Sequence, residues 1–226
     1  MMFYTVNTKI KAMRATLLTA RDYENLCAKD GNGVVLIKTE HDFAKISAYL
    51  DKPARDFLGK SYLHALCSDG AKAFSISPLC DKSGRESLKR VFGTDADLRN
   101  ILWVYRLKKY HGINGSAVYS YLNPSNYKLS AEEISKLVHA KDMAHFSQIV
   151  ANSFYGGIFK SLSDFTEQNL TRAVRSQFKK EARHENIAVI CGYLYARHLE
   201  IKNIRAIAEG KKHGFSPQEI FSLLHI

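Results

Sequence analysis

Two stretches of this chain, about a hundred residues apart, repeat one another, and that repetition limits the folds open to it. Asp97-Leu98-Arg99-Asn100-Ile101 lies over Glu200-Ile201-Lys202-Asn203-Ile204 at an offset of 103. After one gap the offset becomes 102, with Gly112-Ile113-Asn114 over Gly214-Phe215-Ser216 and Val118-Tyr119-Ser120-Tyr121-Leu122 over Ile220-Phe221-Ser222-Leu223-Leu224. A weaker third copy opens the chain: Ile10-Lys11-Ala12-Met13 is similar to Ile204-Arg205-Ala206-Ile207, and Thr19-Ala20-Arg21-Asp22-Tyr23 matches Ser216-Pro217-Gln218-Glu219-Ile220 in type. Each copy reads as a basic helix, a break, a capped start and a second helix. Units of this kind bury their faces against one another. The expectation is an all-α fold in one domain, residues 1–226: unit one about 1–97, unit two about 98–200, and a closing helix pair about 201–226.

Helical periodicity is strongest near the end. Ile187, Ile190, Cys191, Leu194, His198, Ile201, Ile204, Ile207 and Ala208 step by three or four, one face of a helix from about Asn186 to Lys212 and about 40 Å long. Ser216-Pro217-Gln218-Glu219 and Ser130-Ala131-Glu132-Glu133 read as capped helix starts, with Thr94-Asp95-Ala96-Asp97 and Thr19-Ala20-Arg21-Asp22 as shorter-acid versions. A hydroxyl there accepts from an orphan N–H, and the acid suits the positive helix end. The segment 30–38 reads as a tight turn and a short β-like run, Val34 to Ile37. Its Gly-x-Gly lacks the Lys-Ser/Thr of a phosphate loop. The stretch between 67 and 93 reads as a mobile loop.

Charge narrows the partners. Lys and Arg number 33 against 22 Asp and Glu, a formal charge of +11, which suits nucleic acid, an anionic membrane surface or an acidic protein. The four cysteines, Cys27, Cys67, Cys80 and Cys191, show no Cys-x-x-Cys spacing and read as small buried hydrophobes. His64, Cys67 and Cys80 lack a fourth ligand at a defensible spacing, so no metal and no cofactor is expected. The uncharged run from Asn186 to Ala196, eleven residues, is too short for a bilayer that takes about 20. No nucleophile elbow, zinc-protease motif, P-loop or carboxylate pair is present, and His139 and His145 read as surface residues on adjoining helices. The chain reads as no enzyme.

The repeated residues favour contact over chemistry. Asp97 with Asn100, and Glu200 with Asn203, sit three apart on one helical face, where acid and amide can join helices. Asp97 reads equally as a helix cap. With Gly112 and Gly214 these are the candidate helix-junction residues. Candidate partner contacts are the cations of the repeated helices: Arg99, Arg106, Lys108, Lys109, Lys202, Arg205, Lys211 and Lys212. A basic nucleic-acid-binding module that has kept only the fold is the alternative, using these cations with Tyr105 and Tyr110 interleaved.

"DADLRNILWVYRLKKYHG" followed by "VYSYLNPSNYKLSAEEISKLV" resembles the middle of the C-subunit family of V-type ATPases, whose eukaryotic members are the d subunits. "ENIAVICGYLYARHLEIKNIRAIAEGKKHGFSPQEI" resembles its C-terminal helix pair, and "NTKIKAMRATLLTARDYENL" its N-terminal pair; roughly 40–93 and 156–180 match poorly. The resemblance implies a non-enzymatic, funnel-shaped, all-helical central-stalk subunit. It would sit between the rotor shaft and the membrane proteolipid ring, peripheral on the cytoplasmic side, and pass rotation between them during proton or sodium transport. The family pattern has three pseudo-symmetric units, and this chain has two intervals, so about one unit is expected to be missing between 38 and 93.

Overall fold

The computed structural model describes residues 2–15, 17–28, 82–113 and 115–226 and, among them, holds helices and turns and no strand. In chain order the α-helices are α1 (Met2–Arg14), α2 (Ala20–Ala28), α3 (Lys82–His111), α4 (Ala131–Val138), α5 (Met143–Ala151), α6 (Glu167–Glu181), α7 (Ala188–Lys212) and α8 (Pro217–Ser222), with short 3₁₀ turns at Gly115–Tyr121, Leu162–Asp164 and Ala182–His184. The β-like run Val34 to Ile37 and the residues His64, Cys67 and Cys80 lie outside the described residues. No described helix is long and apolar enough to cross a membrane.

Packing follows the apolar faces. α3 lies against α4, α5 and α6; α6 continues to α7; α7 packs on α1 and α8; and α2 lies on α8. The main core runs through α3, α6 and the first half of α7, where Ile187 to Tyr195 are all buried, so the uncharged run is core from Asn186 to Tyr195. A stack of Tyr105, Phe165 and Phe159, with ring centroids 4.6 and 4.8 Å apart, fills the gap beside α5. A second, smaller core of Tyr23, Cys27, Ile207, Ile220 and Leu224 joins α2 to the α7–α8 end. Cys27 and Cys191 are buried free thiols.

Two expectations are corrected. Thr94-Asp95-Ala96-Asp97 starts no helix: α3 runs unbroken from Lys82 to His111, because Leu88, Val91, Ala96, Leu98, Ile101 and Leu102 keep one face buried through that point. The same helix makes residues 82–93 ordered α-structure instead of loop. Counting the repeats along the chain from the N-terminal copy, the second unit is the stretch around 95–123 and the third that around 198–225. The third has the helix and cap expected of it, with α7 spanning Ala188–Lys212 and α8 opened by a reciprocal capping box between Ser216 and Glu219, Pro217 in its first turn. The second unit's return segment is a 3₁₀ turn, Gly115–Tyr121. Gly115 has φ +69° where the third unit has proline, and Ala117 stands where that unit has Glu219, so the reciprocal bond of a capping box has no carboxylate and the α-helical first residue is lost.

Candidate functional site

The site is a pair of junctions, one on each long helix. Asp97 is fully buried in the middle of α3. Its Oδ2 accepts from the backbone N–H of Lys128 (2.7 Å) and Leu129 (2.9 Å) and from the hydroxyl of Tyr155 (2.7 Å), and Oδ1 accepts from Tyr127 N–H at 3.1 Å. Burial, followed by the bond to this carboxylate, raises the Tyr155 hydroxyl far above its ordinary value. Gly93 makes the approach possible, since a Cβ there would lie 2.6 Å from Tyr127 Cβ. One turn along, Asn100 holds the backbone of Asn123 from both sides, donating to its carbonyl at 3.0 Å and accepting from its N–H at 2.7 Å.

α7 repeats the arrangement. Asn203 donates to the His225 carbonyl at 3.3 Å and accepts from its N–H at 2.8 Å, so each asparagine clamps the residue that follows its own return segment. Glu200 accepts from the N–H of Leu18 at 2.7 Å and pairs with Arg197. Leu18 immediately precedes Thr19, which shares reciprocal bonds with Asp22 at the start of α2. Leu129 likewise immediately precedes Ser130, the N-cap of α4. Each long helix therefore uses its acid to hold the residue just ahead of a capped helix. For α3 that helix is α4; for α7 it is α2, from the other end of the chain. The N-terminal hairpin is fixed further by Asn7 to the Glu185 carbonyl (2.6 Å), Lys11 to Glu185 (2.8 Å) and Arg14 to the Val189 carbonyl (3.4 Å).

Gly112 and Gly214 end the two long helices with φ of +62° and +73°. At the second, Phe215 N–H bonds the Gly210 carbonyl and Gly214 N–H the Lys211 carbonyl, a Schellman closure.

The eight candidate cations divide into groups. Arg99 is tied to Asp95 at 2.8 Å and is held protonated above its ordinary value by that charge. Arg106 pairs with Glu167 at 3.1 Å. Lys108 donates to the Val138 carbonyl at the end of α4, and Lys109 to the Tyr105 hydroxyl while lying over the rings of Tyr105 and Tyr110. Lys211 and Lys212 stand in the last turn of α7, where cations favour the helix dipole. Lys202 and Arg205 are exposed in mid-helix, where the dipole gives no reason for them. Sequence reasoning missed Glu167 as a partner of Arg106, Tyr155 as a ligand of Asp97, and His198 and His225 as neighbours of the exposed cations. A signal was present for His198, which the 103-residue offset sets over Asp95.

A cleft of about 390 Å³ opens between the end of α3, the start of α6 and His225; its charged groups are the Arg106–Glu167 pair. His139, the C-cap of α4, and His145 on α5 are both exposed. Among the described residues no three His, Cys, Asp or Glu side chains converge as a metal group would require. The geometry suits holding: the junction carboxylates Asp97 and Glu200 are spent on backbone N–H groups.

The family model of the ATP synthase (C/AC39) subunit matches residues 33–223. A relative, the C subunit of the A-type ATP synthase of Methanothermobacter thermautotrophicus, is 24% identical over 144 residues, covering 58% of this chain and 37% of that protein. The chain thus spans little more than a third of the relative it matches. The matched span includes both junction helices and runs through 40–93 and 156–180, while the N-terminal pair up to residue 32 lies outside it. The repeated long helices, their matching junctions and this span together assign the chain to the ATP synthase (C/AC39) subunit family.

Proposed function

We propose that this chain is a non-catalytic central-stalk subunit of a V-type rotary ATPase, coupling the rotor shaft to the membrane proteolipid ring in proton or sodium transport. The observation that carries this reading is the pair of junctions at Asp97–Asn100 and Glu200–Asn203. An adaptor that passes torque must not bend, and buried charge-assisted bonds to loop backbone stop the long helices from sliding against the segments that return along them. Family membership supports the reading, and the exposed cations Lys202, Arg205 and Lys212 are the partner contacts we favour. Arg99, Arg106, Lys108 and Lys109 have internal partners and contribute less to such contacts. The subunit would work at the cytoplasmic face, peripheral to the membrane.

Co-purification tests this. The chain, tagged in its native cell, is isolated from gently solubilised membranes at low salt, and its companions are identified by mass spectrometry. Shaft and proteolipid-ring subunits are expected. Recovery of nucleic acid or of no partner, with an intact ATPase elsewhere in the same extract, would contradict the proposal.

A further inference from the structure

α7 carries His198, Lys202 and Arg205 at spacings of four and three, one face of the helix over about 10 Å. Arg99 from α3 and His225 from the segment after α8 bring positive or protonatable groups to the same place, and the leading charge effects on His198 come from Lys202, Arg99, Arg205 and His225. Two acids lie near. Asp95 is held by Arg99, and Glu167, at the start of α6, is held by Arg106. From α1, the nearest cation Arg14 is turned to the Val189 carbonyl, more than two helical turns away. Among the described residues no carboxylate comes within 4.0 Å of Lys202 or Arg205.

The repeat gives this surplus its meaning. At the 103-residue offset, His198 and Lys202 stand where the second unit has Asp95 and Arg99, an i,i+4 ion pair at 2.8 Å. The second unit neutralises its cation from within. In the third unit the acid is replaced by histidine, and the cation is left facing solvent.

We propose that the His198–Lys202–Arg205 face of α7 docks an acidic helix of a protein partner, which supplies the carboxylates this unit lacks. A row of three groups over two turns matches carboxylates at i, i+4 and i+7 of a second helix, whereas one phosphate reaches one or two of them. The inference rests on the reading above in taking the cations of α7 as partner-facing. Burial, then Lys202, Arg99, Arg205 and His225, push His198 down to about 4, and burial and Lys202 lower His225. A docked carboxylate reverses part of that penalty, so docking takes up protons and strengthens as the pH falls toward 5.

The test uses the full chain and a synthetic helical peptide with glutamates at i, i+4 and i+7, beside a glutamine twin, titrated by fluorescence anisotropy. The glutamate peptide is expected to bind, with the glutamine twin weaker by about tenfold or more. Lys202→Glu with Arg205→Glu should cost a similar factor, while Lys179→Glu with Lys180→Glu, at the far end of α6, leaves affinity unchanged. Binding should tighten between pH 7.5 and 5.5, and His198→Gln should flatten that dependence. His198→Asp restores the acid of the second unit and should weaken docking by pairing Lys202 internally. Equal binding of both peptides, or no loss with the Lys202/Arg205 double change, overturns the proposal. So does a double change that abolishes binding to phosphatidylserine vesicles or an RNA oligonucleotide and spares the peptide. Co-purification separates the two readings: companions retained while the peptide test fails removes this face only, and a passed peptide test with no ATPase companions removes the coupling role only.

Discussion

The second and third units share one plan and differ in what they leave unpaired. Asn100 and Asn203 make the same two bonds to the residue after the return segment. Their acids differ. Asp97 gathers four donors and is sealed at 0% exposure, while Glu200 holds one backbone N–H and a neighbouring arginine and keeps 8% of its surface open. The second unit also closes its surface charge with Asp95–Arg99, where the third presents His198 and Lys202. One copy is finished inside the fold; the other draws its acid's partner from the N-terminal hairpin and leaves its cations outward. A repeated unit can thus keep one framework and change its surface charge with few changes of residue.

The largest expected effect is at Asp97. Asp97→Asn turns an acceptor of four bonds into a group that brings its own donors toward N–H donors, and should cost about 3–4 kcal/mol in urea unfolding. Glu200→Gln should cost about 1–2 kcal/mol, because one backbone donor is at stake. A larger loss at Glu200 than at Asp97 would break the comparison. Asn100→Ala and Asn203→Ala each strand a buried N–H and carbonyl and should cost about 2 kcal/mol, the near-equality being the prediction.

The third unit carries a pH effect for which the second unit has no counterpart at the matching position, Asp95. His198 titrates in the folded chain at about 4, below the ordinary histidine value, through burial and its cationic neighbours. The unfolded chain therefore takes up the proton first, and stability is lost as the pH falls from about 6.5 toward 4. His198→Gln should reduce the drop in Tm across that window, and an unchanged slope would place the titration elsewhere. The smallest effect is Gly214→Ala, about 1 kcal/mol, from forcing a Cβ into φ +73°.

How much of this was legible varies with the distance over which the signal acts. α7 was readable nearly to the residue because its apolar step is unbroken and a glycine ends it. The caps at Ser130 and Ser216 were readable because a capping box is complete within four residues. The same local rule misled at Thr94-Asp95-Ala96-Asp97. An acid three residues after threonine looks like a cap, yet Asp97 is spent on Tyr127, Lys128 and Leu129, thirty residues on, and on Tyr155. No local pattern announces a carboxylate whose partners are that far along the chain. The repeat pointed to the junction residues, since Asn100 and Asn203 recur in register. It did not name what they hold, because Asn123 and His225 share position and not residue type. Among the cations, Asp95 four residues before Arg99 is a local signal that the reading of Arg99 as a partner contact passed over, whereas Glu167 for Arg106 is a tertiary contact.

Native-state hydrogen exchange tests the unequal junctions most directly. The amides of Lys128 and Leu129, bonded to Asp97, should exchange only with global unfolding, and that of Leu18, bonded to Glu200, about a hundredfold sooner through release of the N-terminal hairpin. Asp97→Asn should bring the two groups together. Equal protection of Leu18 and Leu129 in the unaltered chain, or exchange of Lys128 and Leu129 ahead of Leu18, would contradict the account.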